Sequence, residues 1–372
     1  MTTSSNIKPE VMRLSWGPQH PMSGQTRIIL DTDGEKVHKI IADIGYTHRG
    51  IEKILEKRGF IQGIIPIERM SMVDTPNIGI GYVTAIEKAM GIEVPERANW
   101  IRSLLCEMAR INSHLYAFGL QAESTGYFPA VFIWTTVDRE ILLDLFEKLT
   151  GARWSYNFIR PGGVHEDLPE GFQNELIEGV QYLRRRFQDY WDAMVENIVF
   201  EMRCNKVAIL KPEDAIRLGA TGPVLRGSGV AIDMRKDEPY AAYKDLKFNI
   251  ITENDCDVMA RTKVRFREIG ESLNIIEQIA NEIPSGTVKT KLPPFLKVKP
   301  SETYTRVETS RGELGVHLFT EGGMNPYRVK INSPSLRNMY VFERLAELDE
   351  ILMADIPVVI NSIDPWYLDS DR

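Results

Sequence analysis

Trp100 to Ala122 reads WIRSLLCEMARINSHLYAFGLQA, and its spacing points to a fold built around helices. Apolar residues recur every three or four positions, the period of a helix that buries most of its surface. Pro95-Glu96-Arg97 just upstream places a proline and an acid where a helix starts. Within the window Arg102, Cys106, Arg110 and His114 are spaced i, i+4, i+8, i+12, which strings them along one slowly drifting face. Two guanidiniums and an imidazole on an apolar helix require partners if they are buried. One expectation is a buried ion-pair network. The other is a proton-coupled group beside an electron carrier, because an imidazole titrates near neutral pH.

The flanking chain is helical on both sides, from about Thr75 and again over Val137–Leu149, which Thr150-Gly151 closes. Gly171–Val199 reads as one long charged amphipathic helix, Arg261–Ile283 as another, and Val341–Met353 as the last. Arg27–Ile44 reads as a hairpin about Asp31-Thr32-Asp33-Gly34, and Tyr304–Leu318 as a second about Ser310-Arg311-Gly312-Glu313. Gly219–Gly229 is a glycine-rich loop, and the apolar run Ile356–Ile360 is expected to be a buried strand. No repeat or long linker interrupts the chain. The expectation is an α+β fold in one integrated domain: a β-rich part over 1–60, a central helical bundle over 61–290, and an α+β part over 291–372, with small sheets at both ends.

With 372 residues the chain can bury a sizeable core, and its 43% hydrophobic and 26% charged residues are those of a folded protein. A net charge of -7 argues against a nucleic-acid partner. No apolar run approaches the ~18 residues that span a bilayer, and Met1–Pro9 lacks the apolar core of a secretory signal. The expected location is therefore cytoplasmic, with any membrane link made through partners. Cys106, Cys204 and Cys256 form no CxxC pair, so neither a disulfide framework nor a four-thiolate metal site is expected. All three are expected to be buried. Gly222-Pro-Val-Leu-Arg226-Gly-Ser-Gly229 fits neither a phosphate loop nor a dinucleotide fingerprint. His20, in Gly17-Pro18-Gln19-His20-Pro21, sits in a loop stiffened by prolines, as a redox pocket would favour. His48-Arg49 lies in a polar knot, Gly45-Tyr46-Thr47-His48-Arg49-Gly50. That knot is either a solvated helix start or a cationic face turned to a negative partner.

Seven segments in order resemble one family across nearly the whole chain: GPQHP at Gly17, IGYTHRGIEK at Ile44, ERM at Glu68, RINSHL at Arg110, FIRPGGVHEDLP at Phe158, GPVLRGSGVAIDMRKDEPY at Gly222 and VETSRGELGVHL at Val307. The family is the hydrogenase-like D subunit of complex I and of related deazaflavin-linked (coenzyme F420) complexes. The resemblance implies the fold of the nickel–iron hydrogenase large subunit. Where those enzymes hold their metals with two CxxC pairs, Ser71, Asp74, Trp366 and Asp369 stand here. Without soft thiolates a nickel–iron centre is not credible, so neither hydrogenase activity nor a cofactor bound by this chain is expected.

The same resemblance implies that the vacated metal cavity receives a lipophilic acceptor, a quinone or methanophenazine. The iron–sulfur cluster would belong to an adjacent B-like subunit, and C-like and membrane H-like proteins would complete an ion-pumping complex. It places His20, Ser71, Met72, Glu123 and Ser124 about the acceptor pocket, and His48, Arg49, Arg69, Arg110 and His114 near the partner's cluster. Quinone-reducing members read HPSTHG, whose second histidine hydrogen-bonds the quinone; here the chain reads His20-Pro21-Met22-Ser23-Gly24, one residue short and without that histidine. Met72 replaces their tyrosine, and Ser124, beside Glu123, replaces their aspartate. Joint loss of three polar groups favours a flatter, less polar headgroup. An inert scaffold docking the iron–sulfur subunit to the membrane arm is the competing reading.

Overall fold

A computed structural model describes residues 11–20, 24–126 and 129–372. The core of the fold is α4 (Glu96–Ser124), which by its 29 residues spans about 43 Å. Its residues from Ala98 to Leu115 are buried almost without a break, so solvent touches no continuous stripe of it. The period is that of a helix enclosed on every side. Helices α3 (Thr75–Met90), α5 (Pro129–Thr150) and α11 (Val258–Glu282) pack around it, and α6 (Phe172–Tyr190) covers α5 and α11. Short α1 (Ile51–Leu55) and α2 (Ile64–Glu68) precede this bundle. The turns α7 (Ile198–Cys204), α8 (Pro212–Arg217), α9 (Pro223–Arg226) and α10 (Met234–Asp237) lie between α6 and α11.

Two antiparallel sheets flank the bundle. In the first, β1 (Met12–Trp16), β2 (Arg27–Asp33) and β3 (Lys36–Asp43) form a meander. The fourth strand is β9 (Ile351–Leu352), paired to Lys36 and Val37, so the two ends of the chain share one sheet. Helix α12 (Pro334–Leu348) covers β3, and Glu343 accepts the Ala42 amide at 2.8 Å. The second sheet is β6 (Ser301–Thr309), β7 (Gly312–Thr320) and β8 (Arg328–Asn332), laid against α3. Gly81 permits that approach, since a Cβ there would meet Val307, Leu314 and Val316 at 3.2–3.4 Å. A two-stranded ribbon, β4 (Ile159–Arg160) and β5 (Gly163–Val164), caps α4 near Arg102. The chain closes with α13 (Ile356–Ile363) and α14 (Tyr367–Ser370).

The β6–β7 turn enters the core: Thr309, Ser310 and Arg311 are all buried. It rests directly on Gly222, whose φ is +64° and where a Cβ would lie 2.4 Å from the Arg311 carbonyl oxygen. Its positive φ with a ψ of -144°, a region that glycine alone enters readily, and the missing side chain are both needed there.

Several elements differ from expectation. The helix expected over Gly171–Val199 stops at Tyr190, widens into a π turn over Trp191–Val195 and restarts at Ile198. Asn197 causes the restart: its backbone is extended and its side chain caps the Val199 amide at 2.9 Å. Ile356–Ile360 is helix rather than strand. Pro357 stands in its first turn and Asp364 closes it in the αL conformation. An apolar run this short carries no period to separate the two structures. The last long helix begins earlier than Val341, at Pro334 after the Ser333 cap, and ends at Leu348. The glycine-rich loop contains α9, opened by Pro223. Cys106 and Cys204 are buried, but Cys256 is partly exposed at φ +64°, in a turn before the Asp257 cap of α11.

Candidate functional site: a cavity where the metal ligands are replaced

A cavity of about 310 Å³ opens beside the outer half of α4, within the roughly 300–1,000 Å³ of small-molecule sites. Tyr116 and Leu120, one helical turn apart, form one wall. Asn361 and the Asp364–Leu368 turn form the opposite wall, and Gly24, Gln25 and Met72 edge it. Aromatic rings dominate: Tyr116 meets Trp366 edge-on at 6.3 Å, and Arg139 stacks 5.0 Å from the Tyr116 ring centroid.

The buried hairpin tip lies under the lining as its floor, touching it through Asp364 and Trp366. Arg311 donates from Nε to the Asp364 carbonyl at 3.0 Å and from Nη2 to its carboxylate at 3.2 Å. Its Nη1 reaches Ser113 Oγ at 3.0 Å, and its guanidinium lies 5.1 Å from the Trp366 ring. Asp364 Oδ2 and Trp366 Nε1 are buried with no hydrogen-bond partner among the described residues.

Of the four residues that the resemblance sets at the thiolate positions, Ser71, Asp74, Trp366 and Asp369, only Trp366 lines the cavity. Asp74 accepts Ser310 N at 2.8 Å, Ser310 Oγ at 2.7 Å and Asn77 Nδ2 at 2.6 Å, which fastens the hairpin tip to the start of α3. Asp369 accepts Ser333 Oγ at 2.5 Å, and burial pushes its carboxyl up to about 6. Ser71 is buried and its hydroxyl lacks a partner among the described residues. Among the described residues no three His, Cys, Asp or Glu side chains are grouped to hold a metal ion.

Of the five residues expected at the pocket, the structure puts Met72 in the cavity wall, 43% exposed. Ser71 adjoins it in sequence but is not part of the lining. His20 stacks on Trp16 at 5.2 Å and bridges to Gly24, itself a lining residue. Glu123 is exposed, and Ser124 turns its hydroxyl back to the Gln121 carbonyl at 2.8 Å. Neither forms part of the cavity. Sequence reading missed Tyr116, Asn361 and Arg311. The signal for Tyr116 was present, two residues beyond His114 and i, i+4 with Leu120 on a helix already identified.

The residues expected near a partner's cluster divide into two sets. His48, Arg49 and Arg69 are exposed. His48 Nδ1 lies 2.5 Å from the Asp371 carbonyl, and Arg49 donates to the Arg69 carbonyl at 2.8 Å. Their loop is clamped by Asp371, whose carboxylate accepts Gly45 N, Thr47 N and Thr47 Oγ1 at 2.6–2.9 Å. Partial burial and the neighbouring Arg69 lower the Arg49 pKa. Arg110 and His114 are instead fully buried. Arg110 donates to the carbonyls of Thr309 and Glu308 at 2.8 and 2.9 Å. His114 Nε2 is 3.0 Å from Glu268. The ion-pair network expected of this helix face exists. Arg102 belongs to it separately, paired to Glu87 at 2.6 Å.

The chain matches the family described as "Respiratory-chain NADH dehydrogenase, 49 Kd subunit" over residues 126–297 and 291–372, and "Nickel-dependent hydrogenase" over 49–122. It is 39% identical to the D subunit of the NADH-quinone oxidoreductase of Desulforamulus reducens, over 96% of this chain and 97% of that one. It is 38% identical to the D subunit of the F(420)H(2) dehydrogenase of Methanosarcina mazei, over 98% and 99%. A solved chain of the membrane-bound sulfane sulfur reductase, an archaeal respiratory membrane complex, superposes with a TM-score of 0.93 at 36% identity, covering 98% of this chain and all of that one. A hydrogenase-type architecture and full-length likeness agree: the chain belongs to the family of the 49 kDa subunit of respiratory-chain NADH dehydrogenase, the hydrogenase-like D subunit of multisubunit membrane-bound oxidoreductases.

Proposed function

We propose that this chain and an adjacent B-like iron–sulfur subunit enclose the pocket in which a lipophilic aromatic acceptor, a quinone or methanophenazine, is reduced. Electrons arrive from the partner's cluster. C-like and membrane H-like subunits complete an ion-pumping complex on the cytoplasmic side of the membrane. The observation that carries this reading is the 310 Å³ cavity lined by Tyr116, Trp366, Tyr367 and Met72. Tyr116 and Trp366 offer faces for a flat ring, and Met72 adds a soft contact. Arg49 and Arg69 give an exposed cationic edge suited to a negatively charged neighbour. No helix among the described residues is long and apolar enough to cross a membrane, so attachment falls to the partners.

Two-electron reduction of such a headgroup consumes two protons. Tyr116, Tyr367, Trp366, Gln25 and Asn361 are the wall side chains that carry a hydrogen-bond donor. The test is to fill the cavity with Met72→Trp in the assembled complex. Reduction of added acceptor should fall at least tenfold while the donor still reduces the clusters at the wild-type rate. Unchanged acceptor reduction in a complex carrying the filled cavity would remove this site from the reaction and favour the scaffold reading.

A further inference from the structure

Behind the cavity, four buried carboxyl groups share three guanidiniums. Glu107 pairs with Arg110 at 3.4 Å and Arg235 at 3.1 Å, and accepts Tyr243 Oη at 2.6 Å and Ser272 Oγ at 2.5 Å. Asp233 pairs with Arg235 at 2.7 Å and Arg226 at 3.7 Å. Glu268 and Glu308 each take Arg226 at 2.7 Å. Glu268 also meets His114 Nε2 at 3.0 Å, and every ionisable side chain in this cluster is at most 2% exposed. Arg265 on α11 bonds the carbonyls of Arg261 and Ile363 and faces both Asp364, itself paired to Arg311, and Glu268.

Arg226 thus faces three carboxylates, Asp233, Glu268 and Glu308, and a buried guanidinium shared three ways leaves the carboxylate with the fewest other donors poorly compensated; one proton there relieves it. We infer that this cluster is a one-proton store, with the proton resident on the Glu308 carboxyl and His114 Nδ1 as its other open basic atom.

The contacts select Glu308. Glu107 has four donors, Asp233 has a forked guanidinium, and Glu268 has a guanidinium and an imidazole. Glu308 has a share of Arg226 and one amide, Met234 N at 3.2 Å. Burial, opposed chiefly by Arg226, raises its carboxyl to about 7, whereas Glu268 is held at about 2. Burial also lowers the His114 pKa against the pull of Glu268, so the neutral imidazole donates from Nε2. Its Nδ1 is buried without a partner among the described residues. Glu308 is the last residue but one of the strand whose following turn, Ser310 and Arg311, lies under the cavity lining, so the store and the cavity share one hairpin.

Infrared spectroscopy of the oxidised, assembled complex tests this without any acceptor, so its outcome is independent of the proposed pocket. The wild type should show a protonated-carboxyl stretch that shifts in D2O and fades as pH rises through about 7. Glu308→Gln should remove one component of the band; Glu68→Gln and Asp369→Asn, at the other buried carboxyls raised to about 7 and 6, should remove their own components and leave that one. Glu268→Gln removes one negative charge and frees Arg226, so the midpoint of the Glu308 band should fall by about one pH unit or more. If Glu308→Gln does not assemble, Glu308→Asp should keep the band at a shifted frequency. A titrating band identical in the wild type and Glu308→Gln, or a midpoint unmoved in Glu268→Gln, overturns the inference.

Discussion

Tyr116 and Met72 face the same cavity, and between them they determine how it can hold a headgroup. The phenol can donate; the thioether cannot. Losing one hydrogen bond to the acceptor costs about 1 kcal/mol, so Tyr116→Phe should lower kcat/KM for acceptor reduction roughly fivefold, with assembly and cluster reduction intact. Met72→Tyr adds a donor at the rim. In steady-state assays with tails of matched length, the wild type should reduce phenazine analogues more efficiently than ubiquinone analogues, and Met72→Tyr should narrow the gap. A wild-type preference for quinones would show that Tyr116 already supplies what Met72 lacks. At this scale the sequence was readable where a residue's role follows from its helix: the spacing of Arg102, Arg110 and His114 required buried partners, and each has one. It was not readable for Glu123 and Ser124. Their place at the end of α4 depends on how the helix terminates, and that turns Ser124 back onto its own backbone.

Among the elements, the β6–β7 hairpin carries the most consequence, because its buried tip joins α3 through Asp74, α4 through Ser113 and the C-terminal turn through Asp364. Gly222→Ala would place a methyl 2.4 Å from the Arg311 carbonyl oxygen at a φ of +64°. The expected cost is about 3 kcal/mol or more, seen as a lower Tm and a weaker grip of Arg311 on the cavity floor. The hairpin itself was legible from alternation around Ser310-Arg311-Gly312-Glu313. That its tip is buried was not, since a polar Ser-Arg pair in a turn normally faces water and is internal here only because Asp74, Ser113 and Asp364 receive it. The run Ile356–Ile360 was misread for a related reason: burial on all sides erases the period that distinguishes helix from strand. Asn197 is the converse case, a local cap strong enough to end an amphipathic pattern that otherwise continues.

Across the whole molecule, the chain buries carboxyls at pKa values above their ordinary range, Glu68 and Glu308 at about 7 and Asp369 at about 6, each raised first by burial. A carboxyl whose folded pKa is raised favours folding while protonated, fully so below its unfolded value, and that contribution fades as pH climbs through the folded pKa. Stability from these groups should therefore decline between about pH 5 and 8. Glu68→Gln should flatten the decline and raise Tm above pH 7, as thermal denaturation across pH would show. The opposite slope, with Glu68→Gln harmful only at high pH, would mean that Arg69 and Arg160 outweigh burial. The overall architecture was legible because seven separated motifs keep their order along the chain, whereas the cavity forms only when the turn after α13 closes against α4. The central claim is that this cavity receives the acceptor headgroup, and a density map of the assembled complex with bound acceptor tests it most directly. Headgroup density against Tyr116, Met72 and Trp366 is the expected result; an empty cavity with the headgroup bound elsewhere, or a nickel ion at Ser71 and Asp74, would contradict it.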